Sequence, residues 1–413
     1  MKILLLAPQP FYQERGTPIA VRLLLEILSS KLDTADGAPP KIDLLVYNEG
    51  ATLDIPGVRT IRIRTPRWLR GIRPGISAKK LICDVFFFAS ALRLLWQARR
   101  EQYAVVHAVE EAVFVAWLAK HLFGTPYIYD MDSSLSLQLT EKWWICRPLL
   151  PLLGWLEGIA VRGSTAVAPV CDALQAIADR HGSPHTVMLR DVSLLPAADA
   201  PRSEAPSVFG SAVCASRPVV LYVGNLERYQ GIDLLLESFA QVTEHPSRPQ
   251  LVVVGGAPEA VEIYSARARA LGCGSSVVFT GPRPVSELKS LLQHADVLVS
   301  PRIKGNNTPM KIFSYLHSGT ALLATDLPTH TQVLDGEVAL LAPPTPAEFA
   351  QALRRLLDDP GLRERLGRQA RSRAEALYTV PAFEAQLLSL YGRMAGAAGA
   401  TPPLATLRAE GER

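Results

Sequence analysis

Between Ser300 and Leu334 the chain reads SPRIKGNNTPMKIFSYLHSGTALLATDLPTHTQVL, and here residue types and spacing come closest to a ligand site. An apolar strand, Asp296 to Pro301, gives way to a polar loop, Lys304-Gly305-Asn306-Asn307-Thr308. Thr308 is a good helix N-cap, Pro309 suits the first helical position, and Gly319 suits the C-terminal stop. Ile312, Phe313 and Leu316 make one apolar face at helical spacing. The free amides of Met310 and Lys311 then point out of the helix start, beyond the carboxyl end of a strand. Open α/β sheets hold phosphorylated ligands there. An ordinary strand–helix–strand unit is the competing interpretation.

Three other stretches carry polar groups at strand ends. Gly16-Thr17-Pro18 repeats the same logic: a flexible residue, a capping hydroxyl and a proline at a helix start. The loop Gly224-Asn225-Leu226-Glu227-Arg228-Tyr229-Gln230-Gly231 lies between a strand and a helix, where glycine lets backbone approach a ligand. It is neither GxGxxG nor a Walker loop, so its support for phosphate binding comes from the neighbouring helix start. Asp130 and Asp132 end another strand, where a carboxylate orients a sugar hydroxyl or acts as a base; Asp132 or Ser133 could equally cap the next helix. His107, Glu110 and Glu111 end one more, and the glutamates also suit a helix's first turn. No Ser-His-Asp or Cys-His arrangement has supporting context, and no cluster suggests a metal.

The elements that must position these residues alternate. Strands are expected at Lys2 to Ala7, Ile42 to Tyr47, Thr60 to Ile63, Ala104 to Ala108, Tyr127 to Asp132, Ala166 to Pro169 and His185 to Leu189. Helices separate most of them, notably Pro18 to Ser30, Lys79 to Arg100 and Glu111 to Phe123. After a stretch rich in Pro, Ala and Ser the alternation restarts at Val219. At 413 residues two domains are the default. The expected layout is a Rossmann-like domain over 1–192, a linker over 193–217, a second Rossmann-like domain over 218–380, a closing helix over 381–394 and a disordered tail over 395–413. The fold class is α/β, with two doubly wound domains facing across a cleft.

A formal net charge of +4 does not suggest a nucleic-acid binder. The five cysteines lack CxxC pairs, which fits unpaired thiols in a reducing compartment. MKILLLAP is too short an apolar run for a signal peptide, and no run of about 20 uncharged apolar residues predicts a membrane span. The expected location is cytoplasmic, with one possible surface attachment. Arg59, Arg62, Arg64, Arg67, Arg70, Arg73, Lys79 and Lys80 contain no acid among them and interleave with Trp68, Leu69 and Ile72, with Val85-Phe86-Phe87-Phe88 following. That mixture suits an anionic membrane; a solvated basic loop is the alternative. Trp143-Trp144-Ile145 with Leu149-Leu150 is a second apolar stretch suited to an interface or an acceptor groove.

Taken together, the chain resembles the retaining nucleotide-sugar glycosyltransferases of the GT-B fold, specifically glycosyltransferase family 4, over nearly all its length except the tail. In the second domain the likeness is carried by VVLYVGNLERYQGIDLLLESF, LVVVGGAP, VVFTGPRPVSELKSLLQHADVLVSPR and NNTPMKIFSYLHSGTALLATDLPTHTQVL. In the first, MKILLLAPQPFYQERGTPIAVRLLLEILS, VVHAVEEAVF and YIYDMDSSL match in layout. The resemblance implies that the second domain binds a nucleotide-diphosphate sugar and the first an acceptor, lipid-linked or glycan. It also implies front-face transfer of a hexosyl-type group with retention, and neither metal nor cofactor. On this reading the donor contacts are Gly224, Asn225, Arg228, Gln230, Arg302, Lys304, Asn306, Asn307, Thr308, Lys311 and Ser314. Gly16, Thr17 and Glu110 fall to the acceptor, and Asp132 and Asp130 to catalysis.

The sequence also departs from the family pattern. Many relatives place Arg and Lys where this chain has Asn225 and Gln230, and two glutamates where it has Asn306 and Ser314. A first-domain histidine is replaced by Asp132. Arg228, Arg302, Lys304 and Lys311 are near enough in sequence to supply the missing charge. Besides a transferase of envelope or exopolysaccharide assembly, the pattern admits a nucleotide-sugar epimerase or a non-catalytic binding subunit.

Overall fold

The strands are apolar runs without alternation, as a sheet covered on both faces requires. The computed structural model describes residues 1–14, 16–32, 38–72, 77–98, 103–134, 136, 148–196, 209 and 213–397. Arg73, the Trp143-Trp144-Ile145 run, most of the expected linker and the tail beyond 397 lie outside the described residues. The chain divides into two units, residues 1–170, 174–189 and 384–413 in one, 171–173 and 190–383 in the other.

In the first unit β1 (Lys2–Leu6), β2 (Lys41–Val46), β3 (Val58–Arg62), β4 (Val105–Val109), β5 (Tyr127–Met131) and β6 (Ala166–Pro169) form one sheet. Its order is β3-β2-β1-β4-β5-β6, with every pairing parallel. The helices are α1 (Gly16–Lys31), α2 (Ala78–Gln97), α3 (Val113–Phe123), α4 (Leu150–Gly163) and α5 (Asp172–Arg180). From β3 onward the chain steps across the sheet in one direction, so right-handed crossovers put α2, α3 and α4 on one face and α1 on the other. Consistently, α3 packs against both α2 and α4.

The second unit repeats this plan with β7 (Val219–Val223), β8 (Gln250–Val254), β9 (Val277–Gly281), β10 (Val297–Ser300), β11 (Ala321–Thr325) and β12 (Leu340–Ala342), in the order β12-β11-β10-β7-β8-β9. Its helices are α6 (Ile232–Ala240), α7 (Pro258–Ala270), α8 (Leu288–Gln293), α9 (Lys311–Ser318), α10 (Pro328–Thr331), α11 (Pro346–Asp358) and α12 (Pro360–Leu377). Successive strand residues feed opposite cores: Val220, Tyr222, Val297 and Val299 on one side, Leu221, Leu298, Leu322 and Ala324 on the other. Both sheets therefore have the doubly wound order, with direction reversing between β1 and β4 and between β7 and β10. Ligands of such sheets sit at the carboxyl ends of those strand pairs.

Several local expectations need correction. β12 was not anticipated, because three residues before a proline give no periodic signal. The run His185 to Leu189 lies beside β6 with only one bridge, Val167 to Thr186, rather than as a full strand. The stretch expected to start the linker is anchored: Ser193 N–H donates to the Tyr378 carbonyl at 3.1 Å, and the Leu194 N–H donates to Ser314 Oγ at 3.0 Å. α13 (Val380–Ala397) runs unbroken, and from Glu384 onward its residues cluster with the first unit.

Candidate functional site

In the second unit the loops after β7 and β10 close on each other. The Ile303 N–H donates to the Tyr229 carbonyl at 2.9 Å. Gly231 makes the approach possible: its φ is +75°, and a Cβ there would lie 1.9 Å from the Pro301 carbonyl oxygen. Beneath these loops sits the Lys311 side chain. Its amine lies 3.9 Å from the centre of the Tyr222 ring and 3.3 Å from Gln230 Oε1. A Cβ on Gly224 would come within 3.3 Å of the same amine. No carboxylate lies within ion-pair distance of Lys311 among the described residues. Burial, helped by the positive charge of Arg302, pushes its pKa well below the ordinary 10.5.

The helix start differs in detail from the expected cap. Thr308 is buried, yet its Oγ1 has no hydrogen-bond partner, so it caps nothing. The first turn is tight, with Ile312 N–H donating to the Pro309 carbonyl and Phe313 N–H to that of Met310. The helix therefore begins at Lys311, flanked by Met310, two residues later than Pro309. Neither the Met310 nor the Lys311 amide donates to a backbone carbonyl among the described residues. Two open amides, a buried hydroxyl without a partner and the Lys311 amine all belong to the segment that follows β10. Donors of this kind at a helix start suit an anion.

Other expected donor contacts divide into exposed and structural ones. Asn225, Arg228 and Lys304 are exposed. Asn225 shapes the loop, its carbonyl accepting from Tyr222 Oη at 2.7 Å. Arg302 is buried and occupied: Nε donates to the Lys304 carbonyl, Nη1 to the Asn307 carbonyl and Nη2 to Asn307 Oδ1, and the guanidinium lies over the Tyr229 ring. Arg302 and Asn307 therefore build the loop. The Asn306 carbonyl accepts from Gln332 Nε2 at 2.7 Å. Ser314 is fully buried, with its hydroxyl engaged by Leu194, so it belongs to the core and not to a ligand surface. That corrects the expectation placed on it.

The sequence reading missed the support under this loop. Thr325 Oγ1 donates to the Arg302 carbonyl at 2.5 Å, and Thr329 Oγ1 to that of Asn307 at 2.7 Å. His330 is fully buried between Ser300 Oγ at 2.8 Å and the Thr325 carbonyl at 2.9 Å, and burial pushes its pKa down to about 3. The signal was present in T-D-L-P-T-H-T, polar residues directly after a fully apolar strand.

In the first unit, β4 and β5 end in acids. Asp130 is buried and 3.1 Å from His107 Nε2, whose Nδ1 is 3.0 Å from Tyr391 Oη on α13. Glu110 takes the left-handed region at φ +50° and accepts from Ser133 Oγ at 3.4 Å. Lys80 reaches Glu110 at 3.6 Å and Glu111 at 2.5 Å. Burial raises Glu111 to about 7 despite that lysine, and also raises Asp84, which accepts a hydrogen bond from Tyr47 Oη. Asp132 and Thr17 are partly buried, and Gly16 opens α1 with nothing within 4 Å of a Cβ built on it. The acids meet at one sheet end, while Gly16 and Thr17 leave room above a helix start.

Two doubly wound units in one chain are the architecture of the GT-B fold. The comparisons agree. A family described as Glycosyl transferases group 1 matches residues 217–359, and one described as Glycosyl transferase 4-like domain matches residues 21–190. An alpha-D-kanosaminyltransferase from Streptomyces kanamyceticus is 27% identical over 318 residues, 72% of this chain and 81% of that protein. Among solved structures, a sucrose-phosphate synthase from Thermosynechococcus elongatus has the same fold with a TM-score of 0.73 at 22% identity, covering 96% of this chain and 99% of that one. The UDP-glucose complex of Anabaena HepE gives 0.70 at 18% identity, covering 95% and 100%. The two family models, one on each unit, and these relatives support a glycosyltransferase of the GT-B fold.

Proposed function

We propose that this glycosyltransferase moves a hexosyl-type group from a nucleotide-diphosphate sugar to a lipid-linked or polysaccharide acceptor, with retention, in envelope or exopolysaccharide assembly. The observation that carries the donor assignment is the half-buried Lys311 amine, with no carboxylate within ion-pair distance among the described residues, on the helix whose first amides are open. A diphosphate supplies the missing negative charge. Of the sugar nucleotides, UDP-glucose has support from the complex of the structural neighbour HepE.

In the proposed reaction an acceptor oxygen forms a bond to the anomeric carbon on the face from which the diphosphate departs. The carbon–oxygen bond to the diphosphate breaks, and the acceptor's proton passes to the departing phosphate oxygen. Lys311 and the α9 amides hold the charge that grows on the leaving group. Gln230 offers its side-chain carbonyl to the amine of Lys311 at 3.3 Å, so on this reading the charge next to the loop comes from the helix. With that charge supplied by the chain, no divalent metal is required. Asp130 and Asp132 are assigned to the acceptor hydroxyl, and Gly16, Thr17 and Glu110 to the acceptor body.

Thermal unfolding with UDP, GDP, ADP and dTDP, with and without EDTA, tests this reading. A diphosphate at about 100 times its dissociation constant stabilises the native state by about 2.7 kcal/mol. One base selected, indifferent to EDTA, is the expected result. No shift with any of the four would remove the donor assignment.

A further inference from the structure

α2, α3 and α4 lie side by side on one face of the first sheet, and their exposed surfaces are largely apolar, with Arg93, His121 and Arg162 among the exposed residues. On α2, Leu81, Ile82, Val85 and Phe86 are 37–68% exposed, while Cys83, Phe87, Ala91 and Leu95 face the core. α4 presents Leu152, Trp155 and Leu156, and α3, between the two, presents Leu118 and Leu122. Single exposed leucines are ordinary; three adjacent helices exposing their apolar residues together are not.

Charge says what could cover this layer. The three helices contain two acids, Asp84 and Glu157, and both are buried; Tyr47 hydrogen-bonds the first, Ser134 and Ser136 the second. No carboxylate of these helices faces outward. The segment leading into α2 adds Arg64, Arg67 and Arg70, all exposed, with Trp68 62% exposed among them. Not every cation of the sequence window is available. Arg59 forks onto Asp43, Arg62 holds the carbonyls of Phe11, Gly50 and Ala51, and Lys80 pairs with Glu111. No helix among the described residues is long and apolar enough to cross a bilayer.

We propose that the α2–α3–α4 face docks flat on an anionic lipid bilayer. The apolar residues enter the headgroup–acyl boundary, Trp68 and Trp155 sit at headgroup level, and Arg64, Arg67 and Arg70 engage lipid phosphates. This deepens the proposed function by placing a membrane-held acceptor within reach. Its test reads lipid binding alone, so it fails or succeeds independently of the donor site.

The test is flotation of the full chain with vesicles of phosphatidylglycerol and phosphatidylcholine, and with phosphatidylcholine alone, following tryptophan emission in parallel. The expected result is binding to the anionic vesicles with a blue shift, weakened by salt. The Arg64→Gln, Arg67→Gln, Arg70→Gln variant should partition about a hundredfold less. Val85→Glu with Trp155→Glu should bind still less while keeping its melting temperature. Equal partitioning into neutral and anionic vesicles, or an unchanged triple variant, would overturn the proposal. So would no vesicle binding together with a dimer in sedimentation velocity that Val85→Glu dissolves, which would assign the face to a second copy of the chain.

Discussion

Replacing Lys311 by methionine should have two effects of opposite sign. In the ligand-free protein the half-buried amine packs against Tyr222, Gln230 and Gly224, with no carboxylate within ion-pair distance among the described residues. Taking such an ammonium part-way out of water still costs on the order of a few kcal/mol. The ring face at 3.9 Å returns about 0.5–2 kcal/mol, and the 3.3 Å contact with Gln230 little more. Methionine keeps most of the volume without the charge, so Lys311→Met should stabilise the free protein by about 1–2 kcal/mol, roughly 2–8 °C in melting temperature. The same change removes a charge-assisted contact to the diphosphate, worth about 1.5–3 kcal/mol, or roughly ten- to 150-fold in affinity. Calorimetric titration of the preferred nucleoside diphosphate reads the second effect, and thermal unfolding the first. The linkage to pH has a definite sign. The lysine's pKa is depressed in the folded state, so the unfolded chain binds more protons, and stability rises with pH toward 10.5. A bound dianion pulls the pKa back up, so binding takes up a proton and weakens as pH rises. The methionine variant should show neither trend. A variant that binds diphosphate as well as the parent, or that melts lower with no ligand, would refute the placement of this charge.

Other outcomes follow from the same geometry. His330 is held neutral with its pKa near 3 against an ordinary 6.5, so unfolding takes up a proton below pH 6.5. Stability should fall as pH drops through that window by up to about 1.4 kcal/mol per unit, and His330→Gln should flatten the change in urea midpoint between about pH 7 and pH 5. Gly231→Ala should cost about 3 kcal/mol or more and abolish nucleotide-induced stabilisation, because its Cβ meets the Pro301 carbonyl. Gly272→Ala, at a similar φ of +76° but in open space, should cost only about 1–2 kcal/mol by the same urea titration. Ser314→Glu restores the family residue, yet it should destabilise by about 3–5 kcal/mol, since the site is fully buried and serves Leu194. A Ser314→Glu protein of normal stability and higher activity would contradict the core assignment.

How much was legible in the sequence follows from which interactions are local. Alternating apolar runs and helical patterns revealed both doubly wound units, because period and length are written in consecutive residues. The place of the loop Lys304 to Thr308, and of Lys311 beside a helix start, was readable for the same reason: a strand, a polar loop and a helix start are neighbours in the chain. What each polar side chain does was not. Arg302, expected among the donor contacts, also stitches its own loop, and Ser314, expected there too, is fully buried and anchors the segment after Asp191. Both depend on partners that the fold supplies, five residues away for Asn307 and 120 for Leu194. Thr308 looked like a cap because of Pro309, but the tight first turn moved the helix start past it. Gln230 read as a lost cation, and only the fold sets it against the amine of Lys311.

The most direct test is nucleoside diphosphate release from a panel of nucleotide sugars, in EDTA, with a membrane lipid extract as the acceptor source. Parent and Lys311→Met proteins are compared, and the product's anomeric configuration is read by NMR. Release of one diphosphate by the parent, transfer into lipid with retained configuration, and loss of both in the variant are expected. A nucleotide sugar that is bound but never turned over, is epimerised, or is released equally well by the variant would contradict the assignment of Lys311 to the departing diphosphate.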